Sequence, residues 1–321
     1  MSASSVQIPA RTNIALTVGM VALCGLFYLV LPTTLLRESR WFGLLLVAFT
    51  LTSNTYWAII HEAIHGKIHP SKRVNNLMGR VLCVFFGSPF QVLRFGHLMH
   101  HRFNRSPIDR TEVYAAPEGP SAFARRMYYF KLLGGLYLME LFASVLAMFP
   151  KRYFAGFVMW VFGEVAEDGR TMKVAAEGQL LMRPGYTRAQ IDGLLATALF
   201  GLSFWAYGEN WWMLALALFG RAFLISFFDN AYHYGNQLDD ALAGYNLHLP
   251  KALEVFVLNF NMHATHHRYP RSPWTAMPGA FQADREVYHH PYLAAAGRQL
   301  KGMIGVGELP SGPQGPGRAK A

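Results

Sequence analysis

Eight of the 13 histidines in this chain are concentrated in three short motifs. In the first motif, HEAIH, three residues separate His61 from His65, whereas HLMHH and HATHH both follow the pattern HxxHH. The second and third motifs contribute His97, His100, His101, His263, His266 and His267. Residues three and four positions apart lie on one helical face, so each motif directs its imidazoles toward one point. Chance placement would produce one specified HxxHH triplet only about 0.02 times, and the motifs therefore predict a metal site.

The number of histidines indicates how many metal ions to expect. Eight imidazoles exceed what one ion binds, since a zinc site closes at four ligands. Imidazole suits zinc, copper, iron and nickel, so the ligand type alone does not select the metal. Two ions with four or five histidines each fit the count. A redox-active pair of ions beside a bilayer would suit the activation of oxygen for a reaction on a lipid.

The first motif also satisfies HExxH, the zinc-protease pattern in which Glu62 would be the general base. A membrane zinc metalloprotease is therefore an alternative from a different enzyme class. It needs only one further ligand, however, and it leaves both HxxHH motifs without a function. We therefore expect Glu62 to support the metal site, either by orienting an imidazole N–H or by pairing with an arginine of a loop.

The composition of the 321 residues indicates an integral membrane protein. Hydrophobic residues make up 52% of the chain and charged residues only 15%, well below the share in soluble domains. The net charge is +10, which loop lysines and arginines that face an anionic leaflet explain without a nucleic-acid partner. The two cysteines, Cys24 and Cys83, lie in apolar stretches and form neither a disulfide framework nor a CxxC metal motif.

Charge and hydropathy together predict the topology. Residues 61–128 carry ten lysines and arginines against four acidic residues, whereas the turn at 208–210 carries no basic residue. The positive-inside rule places residues 61–128, and with them the active site, on the cytoplasmic side. Lys151 and Arg152 form a basic bend between two apolar pieces, which favours interfacial or re-entrant helices there over spans.

We therefore predict an all-α integral membrane protein with about four transmembrane helices, interfacial helices and a cytoplasmic cap that carries the histidine motifs. The four spans are expected at residues 13–36, 41–60, 191–207 and 211–228. The predicted parts are two transmembrane helices in 1–60, cap with the first two motifs in 61–128, interfacial or re-entrant helices in 129–189, two transmembrane helices in 190–229, cap with the third motif in 230–301, and a flexible tail in 302–321.

The order HxxxH, HxxHH, HxxHH resembles that of the membrane fatty acid desaturase superfamily, which also includes membrane hydroxylases and carotenoid ketolases. The resemblance covers residues 61–278, with two spans before the first motif and two before the third. It implies a di-iron centre, O2 as co-substrate and a lipid or acyl substrate. It also implies an external electron donor of the ferredoxin, rubredoxin or cytochrome b5 type, and the chain contains no CxxC or CxxCH motif of a fused donor.

The resemblance also extends to residues outside the three motifs. In the acyl-CoA desaturase branch a further histidine follows the last span, and an asparagine just before it holds a metal-bound water. In DNAYHYG, His233 matches that histidine, and Asn230 resembles the asparagine with a spacing one residue shorter. The resemblance thus implies nine metal ligands, with Glu62 and Asn230 as supporting residues. The nine are His61, His65, His97, His100, His101, His233, His263, His266 and His267.

The motifs leave the reaction outcome open among relatives of the superfamily. The three residues between the histidines of the first motif are similar to those of acyl-lipid desaturases and carotenoid ketolases, whereas residues 267–274 resemble the desaturases. We expect a fatty acid desaturase that introduces a cis double bond, with a carotenoid ketolase or hydroxylase, or a lipid hydroxylase, as the alternative. A metal transporter or sensor would instead carry ionisable residues along a path inside the spans.

Four charged residues outside the motifs are further candidates for a role at the site. Arg221 lies in the middle of a predicted span and Glu140 within an apolar segment, and charges inside a membrane are candidates for function. Asp109 and Glu112 follow the second motif and could hydrogen-bond its histidines, although a solvated loop is the other interpretation.

Overall fold

The computed structural model describes residues 7–162 and 172–310, and helices make up most of this part of the chain. The helices are α1 Ala10–Glu38, α2 Arg40–Leu51, α3 Ser53–Ile64, α4 Lys72–Phe86, α5 Phe90–Phe103, α6 Ala122–Phe130, α7 Leu136–Ala147, α8 Lys151–Phe162, α9 Met172–Gln179, α10 Arg183–Tyr207, α11 Trp211–Asp229, α12 Lys251–Phe256, α13 His263–Arg268, α14 Met277–Ala283 and α15 Tyr292–Arg298. Turns of 3-10 or π helix join several of them. The predicted helical character is confirmed.

Several of these helices are long and apolar enough to cross a membrane. Three segments qualify alone, Ala10–Glu38, Ala122–Ala147 and Arg183–Tyr232. Two bent pairs qualify when each pair counts as one span, α2 with α3 at 41° and α4 with α5 at 102°. Three to five candidate spans are consistent with the predicted helical membrane protein.

Three of the candidate segments overlap the predicted spans, and the other two, the α4–α5 pair and Ala122–Ala147, lie in parts of the chain predicted to form the cap and interfacial helices. The number of spans stays a prediction. The predicted spans 13–36 and 41–60 coincide with α1 and the α2–α3 pair, and the predicted hairpin lies in α10 and α11, between which Gly208 has a φ of 51°. The α4–α5 pair, by contrast, was expected to belong wholly to the cap. The basic residues of this pair are the reason why the sequence places it in the cytoplasmic cap. The buried sides of both helices are nevertheless largely apolar.

The segment Ala122–Ala147 does not run straight, because it bends at Gly134. Gly134 has a φ of 137°, a conformation that L side chains rarely adopt, and it separates α6 from α7. It lies against Ala222 in the middle of α11. Past the bend, the amide of Tyr137 donates to the hydroxyl of Ser226, 3.3 Å away and one turn closer to the end of α11.

The other side of the bend is fastened to the cap. The hydroxyl of Tyr128 in α6 donates to the carbonyl of Gln299 at 2.7 Å, and Leu132 is buried with Tyr234. The chain therefore leaves the cap, approaches the middle of α11 and turns back toward the end of that helix. Whether residues 129–189 cross the membrane stays a prediction.

Short parallel strand pairs join distant parts of the cap. Strand β1, Val113–Tyr114, pairs with β4, Ile304–Gly305, and β2, Leu247–His248, pairs with β3, His290–Pro291. The predicted tail at 302–321 thus begins with residues that pair with the loop after the second histidine motif. Residues 311–321 of that tail lie outside the described part of the chain.

Arg221 is fully buried among aromatic rings at the centre of the helices. Its Nη1 donates to the hydroxyl of Tyr28 at 2.9 Å, and its guanidinium carbon lies 4.2 Å from the centroid of the Phe49 ring and 5.2 Å from that of Tyr56. A guanidinium over ring faces is attracted by their quadrupoles. Arg221 therefore holds α1, α2, α3 and α11 together, and it is not among the residues that line the cavity described below.

The bend at Gly134 gives a prediction for stability. We expect Gly134→Ala to lower the free energy of unfolding by about 1–3 kcal/mol, because alanine is strained at a positive φ. Gly201→Ala is the matched control, since Gly201 lies within α10 and a Cβ there would meet nothing within 4 Å. Thermal unfolding of the purified protein in detergent measures both. Equal midpoint temperatures of unfolding for the two variants would contradict the positive φ at Gly134.

Candidate metal centre

The elements that carry the histidines converge from four parts of the chain. His61 lies in the last turn of α3, and His65 caps its C-terminus. The second motif occupies the last turns of α5, and the third motif forms α13. His233 directly follows the 3-10 turn at Asn230–Tyr232 after α11. All nine histidines that the sequence analysis selected are brought together in two groups.

The first group contains five histidines whose potential ligand nitrogens all lie within 4.8 Å of one another. The Nε2 atoms follow one another closely: His65 to His97 at 2.9 Å, His97 to His101 at 3.0 Å, and His101 to His266 at 3.0 Å. His61 completes this five-histidine group, and its Nε2 is buried without a hydrogen-bond partner.

The second group contains four histidines, His100, His233, His263 and His267, within the same limit. The Nε2 atom of His263 lies 2.9 Å from that of His233 and 3.1 Å from that of His267. Each HxxHH motif serves both groups, because adjacent residues point about 100° apart around a helix. His100 and His267 therefore belong to this four-histidine group, whereas the adjacent residues His101 and His266 belong to the five-histidine group.

The spacing of the nitrogens in each group fits a set of metal ligands. The Nδ1 atoms of His233 and His267 donate to the carbonyls of Ala243 and Ala241, both at 3.1 Å. In the neutral tautomer both Nε2 atoms then present lone pairs, and His263 can donate to only one of them. Adjacent ligands of an ion about 2.1 Å from each nitrogen would stand roughly 3 Å apart. The observed spacings fit a cation in each group.

The electrostatics of the cap favour the form of histidine that binds metal. Burial lowers the pKa of His233, His263, His266 and His267 well below the usual range, and the neighbouring imidazoles lower it further. These rings are therefore neutral at physiological pH. A neutral imidazole has a free lone pair for a metal ion, whereas a protonated one does not.

Asp109 supports the four-histidine group directly. Its Oδ2 lies 3.0 Å from the Nδ1 of His100, a contact that fixes the orientation of the ring. The sequence allows a hydrogen bond to a histidine of the second motif for both Asp109 and Glu112. Glu112 instead accepts a hydrogen bond from Arg105 at 2.5 Å, and both of these side chains are fully buried.

Arg105 is a structural residue of the site that the sequence did not reveal. Its Nη2 and Nε donate to the carbonyls of Asn236 and Gln237, at 2.8 and 3.1 Å. These partners follow His233 and lie more than 130 positions after Arg105 in the sequence, so no local spacing could have identified them. Arg105 therefore ties the end of α5 to the loop that carries His233.

The position of Glu62 differs from the sequence expectation. Its Oε2 accepts a hydrogen bond from the backbone amide of Trp274 at 3.0 Å, and the Nε1 of Trp274 donates to Asn13 at 3.0 Å. The expected partners were an imidazole or a loop arginine. Glu62 follows His61 by one residue and therefore points about 100° away from the face that His61 and His65 share.

Asn230 lies on the wall of a cavity beside the metal centre. Its Nδ2 donates to the Oε1 of Gln299 at 2.9 Å. The role that the resemblance implies for Asn230, holding a metal-bound water, stays a prediction. The cavity measures about 240 Å³, and its wall includes His97, His100, His233 and His263. Apolar side chains of α5, α7 and α8 form part of the wall, and its charged residues include Arg105 and Lys131.

Helices long enough to cross a membrane, two histidine groups that could each hold a metal ion and an adjoining cavity are the features of a membrane-bound metalloprotein. The family model for fatty acid desaturases matches residues 39–296. The chain therefore belongs to the fatty acid desaturase family and is an oxidoreductase. No individual curated protein matches it significantly.

The division into two groups predicts a selective loss of metal. We expect His267→Ala to lose most of the metal of the four-histidine group, because three imidazoles remain, while the five-histidine group keeps its ion. His248→Ala is the matched control, since His248 is exposed and belongs to neither group. Elemental analysis of the purified variants measures metal per chain. An unchanged metal content in His267→Ala would contradict the grouping.

Proposed function

We propose that the protein is an O2-dependent di-iron enzyme that introduces a cis double bond into a fatty acyl chain. The nine histidines of the two groups are the proposed ligands, five for one iron and four for the other. The observation that carries this proposal is that both groups share the HxxHH motifs and that one cavity with largely apolar walls adjoins both. Such a cavity suits an alkyl chain better than a peptide.

The roles of the chain's own residues follow from their positions. A bound iron pair would supply the activation of O2. The histidines hold the ions, Asp109 fixes the ring of His100, and Arg105 ties the loop of His233 to α5. Apolar side chains of the cavity exclude water and orient the alkyl chain beside the histidines.

Desaturation is balanced by an external source of electrons. The acyl chain loses two hydrogen atoms, and O2 with two further electrons and two protons becomes two water molecules. We propose a separate donor of the ferredoxin, rubredoxin or cytochrome b5 type for these electrons. The excess of lysine and arginine in residues 61–128 supports a cytoplasmic position for the histidine cap, where such donors occur.

Lipid and pigment profiling tests the proposed reaction. The chain is expressed in hosts with and without carotenoids, beside His233→Ala as an inactive control that is expected to insert normally. We expect new cis-unsaturated acyl chains in both hosts with the unchanged chain and none with His233→Ala. Hydroxylated lipids would instead assign a lipid hydroxylase. Oxidised carotenoids with unchanged acyl chains would assign a carotenoid ketolase or hydroxylase.

Glu62→Gln separates this proposal from the zinc-protease alternative. Glutamine keeps an oxygen that accepts the hydrogen bond of the Trp274 amide, so we expect lipid oxidation to remain measurable, with at most the ~10–100-fold loss that is typical when a residue supporting a metal site is changed. His61→Ala should leave no activity. A protease would lose its general base in Glu62→Gln and stop turning over while zinc stays bound. Product formation in membranes with a supplied electron donor, at equal protein levels, compares the variants.

A further inference from the structure

Glu140 places a carboxyl group inside the cavity beside the histidines. It lies in α7, whose other residues from 136 to 147 carry no charge. One of its oxygens, Oε2, is buried and has no protein hydrogen-bond partner. Among the ion pairs of the described residues, none involves Glu140. An acidic side chain at such a position is a candidate for binding something that enters the cavity.

Two further carboxyl groups line the same cavity. That of Asp109 is paired with His100, whereas that of Asp229 lies at the end of α11. The bend at Gly134 brings α7 beside this end of α11, and the contact between Tyr137 and Ser226 fixes the two helices one turn before Glu140 and Asp229. The cavity wall also includes His100, His233 and His263. A molecule that fills the cavity therefore meets the carboxyl groups and the four-histidine group together.

The carboxyl groups of Glu140 and Asp229 restrict what that molecule can be. A plain alkyl chain would leave the Glu140 oxygen without a partner, and an unsatisfied buried polar group costs about 1–3 kcal/mol. The few polar groups of an apolar pocket normally bind matching groups of the ligand and fix its orientation. An ionised carboxylate only accepts hydrogen bonds, so the group that matches Glu140 in this form is a donor.

We propose that the lipid whose acyl chain is oxidised also carries a hydroxyl or a primary amine, and that this donor group binds at Glu140 and Asp229. This inference rests on the proposed oxidation at the histidines and names the substrate class for that reaction. The donor group lies at the carboxyl groups, and the adjoining carbons of the chain lie against His100, His233 and His263. The apolar wall from α5 and α8 receives the rest of the chain.

Equilibrium binding to the purified full chain in lipid nanodiscs tests the inference. The probes are a saturated primary alcohol, the primary amine and the alkane, all of one chain length. We expect the alcohol or the amine to bind about tenfold more tightly than the alkane, as one buried hydrogen bond allows. Equal binding of all three probes by the unchanged chain would overturn the proposal.

Variants of Glu140 identify the residue and the donor. Glu140→Leu should remove the preference over the alkane. Glu140→Gln should keep a preference for the alcohol, because its amide oxygen still accepts a hydrogen bond, and should lose one for the charged amine. Glu209→Leu is the matched control, since Glu209 is 91% exposed at the turn after α10. A full preference in Glu140→Leu would overturn the assignment to Glu140.

Iron content and oxygen consumption of the same samples separate this inference from the proposed function. A protein that holds iron and oxidises a lipid but binds the three probes equally would overturn only the substrate class. A protein that shows the Glu140-dependent preference without iron or oxygen consumption would overturn only the proposed oxidation. If Glu140→Leu does not fold, Glu140→Gln and the three probes still decide the substrate class.

Discussion

The structure depends on bringing nine imidazoles from four separate parts of the chain into two adjoining groups. Neighbouring Nε2 atoms within each group stand 2.9–3.1 Å apart. In the four-histidine group, carbonyls already accept the Nδ1 protons of His233 and His267, so the Nε2 atoms of these two rings both present lone pairs. Surrounding contacts have to hold the rings at these short distances.

Contacts between distant loops provide that support. Arg105 and Glu112 form a fully buried pair beside the loop of His233, and removing one partner of such a pair typically costs about 3–5 kcal/mol. Asn246 accepts a hydrogen bond from the amide of Thr265 at 3.1 Å and so fixes the helix of the third motif. Trp274 bridges Glu62 and Asn13 and fastens the segment after that motif to α1 and α3. The contacts of Arg105 with Asn236 and of Trp274 with Glu62 join residues more than 130 positions apart in sequence, so the geometry of the histidine groups depends on the packing of the cap.

Features that depend on neighbouring residues could be predicted from the sequence, whereas features that depend on contacts between distant residues could not. The histidine motifs are local patterns, and helical periodicity alone indicates which rings share a face. The first two spans were likewise visible as apolar runs that coincide with α1 and the α2–α3 pair. The partner of Glu62, the role of Arg105 and the bend at Gly134 depend on contacts across the chain, which spacing does not encode. Glu140 was visible as a charge in an apolar segment, but its place beside the histidines required the fold.

We propose that the two histidine groups are the ligand shells of two iron ions. X-ray absorption at the iron edge, combined with elemental analysis of protein purified without oxygen, tests this assignment. We expect about two irons per chain and a first shell dominated by imidazole nitrogen, because imidazole is among the ligands that suit iron. One zinc per chain without iron, or iron bound through sulfur, would contradict it.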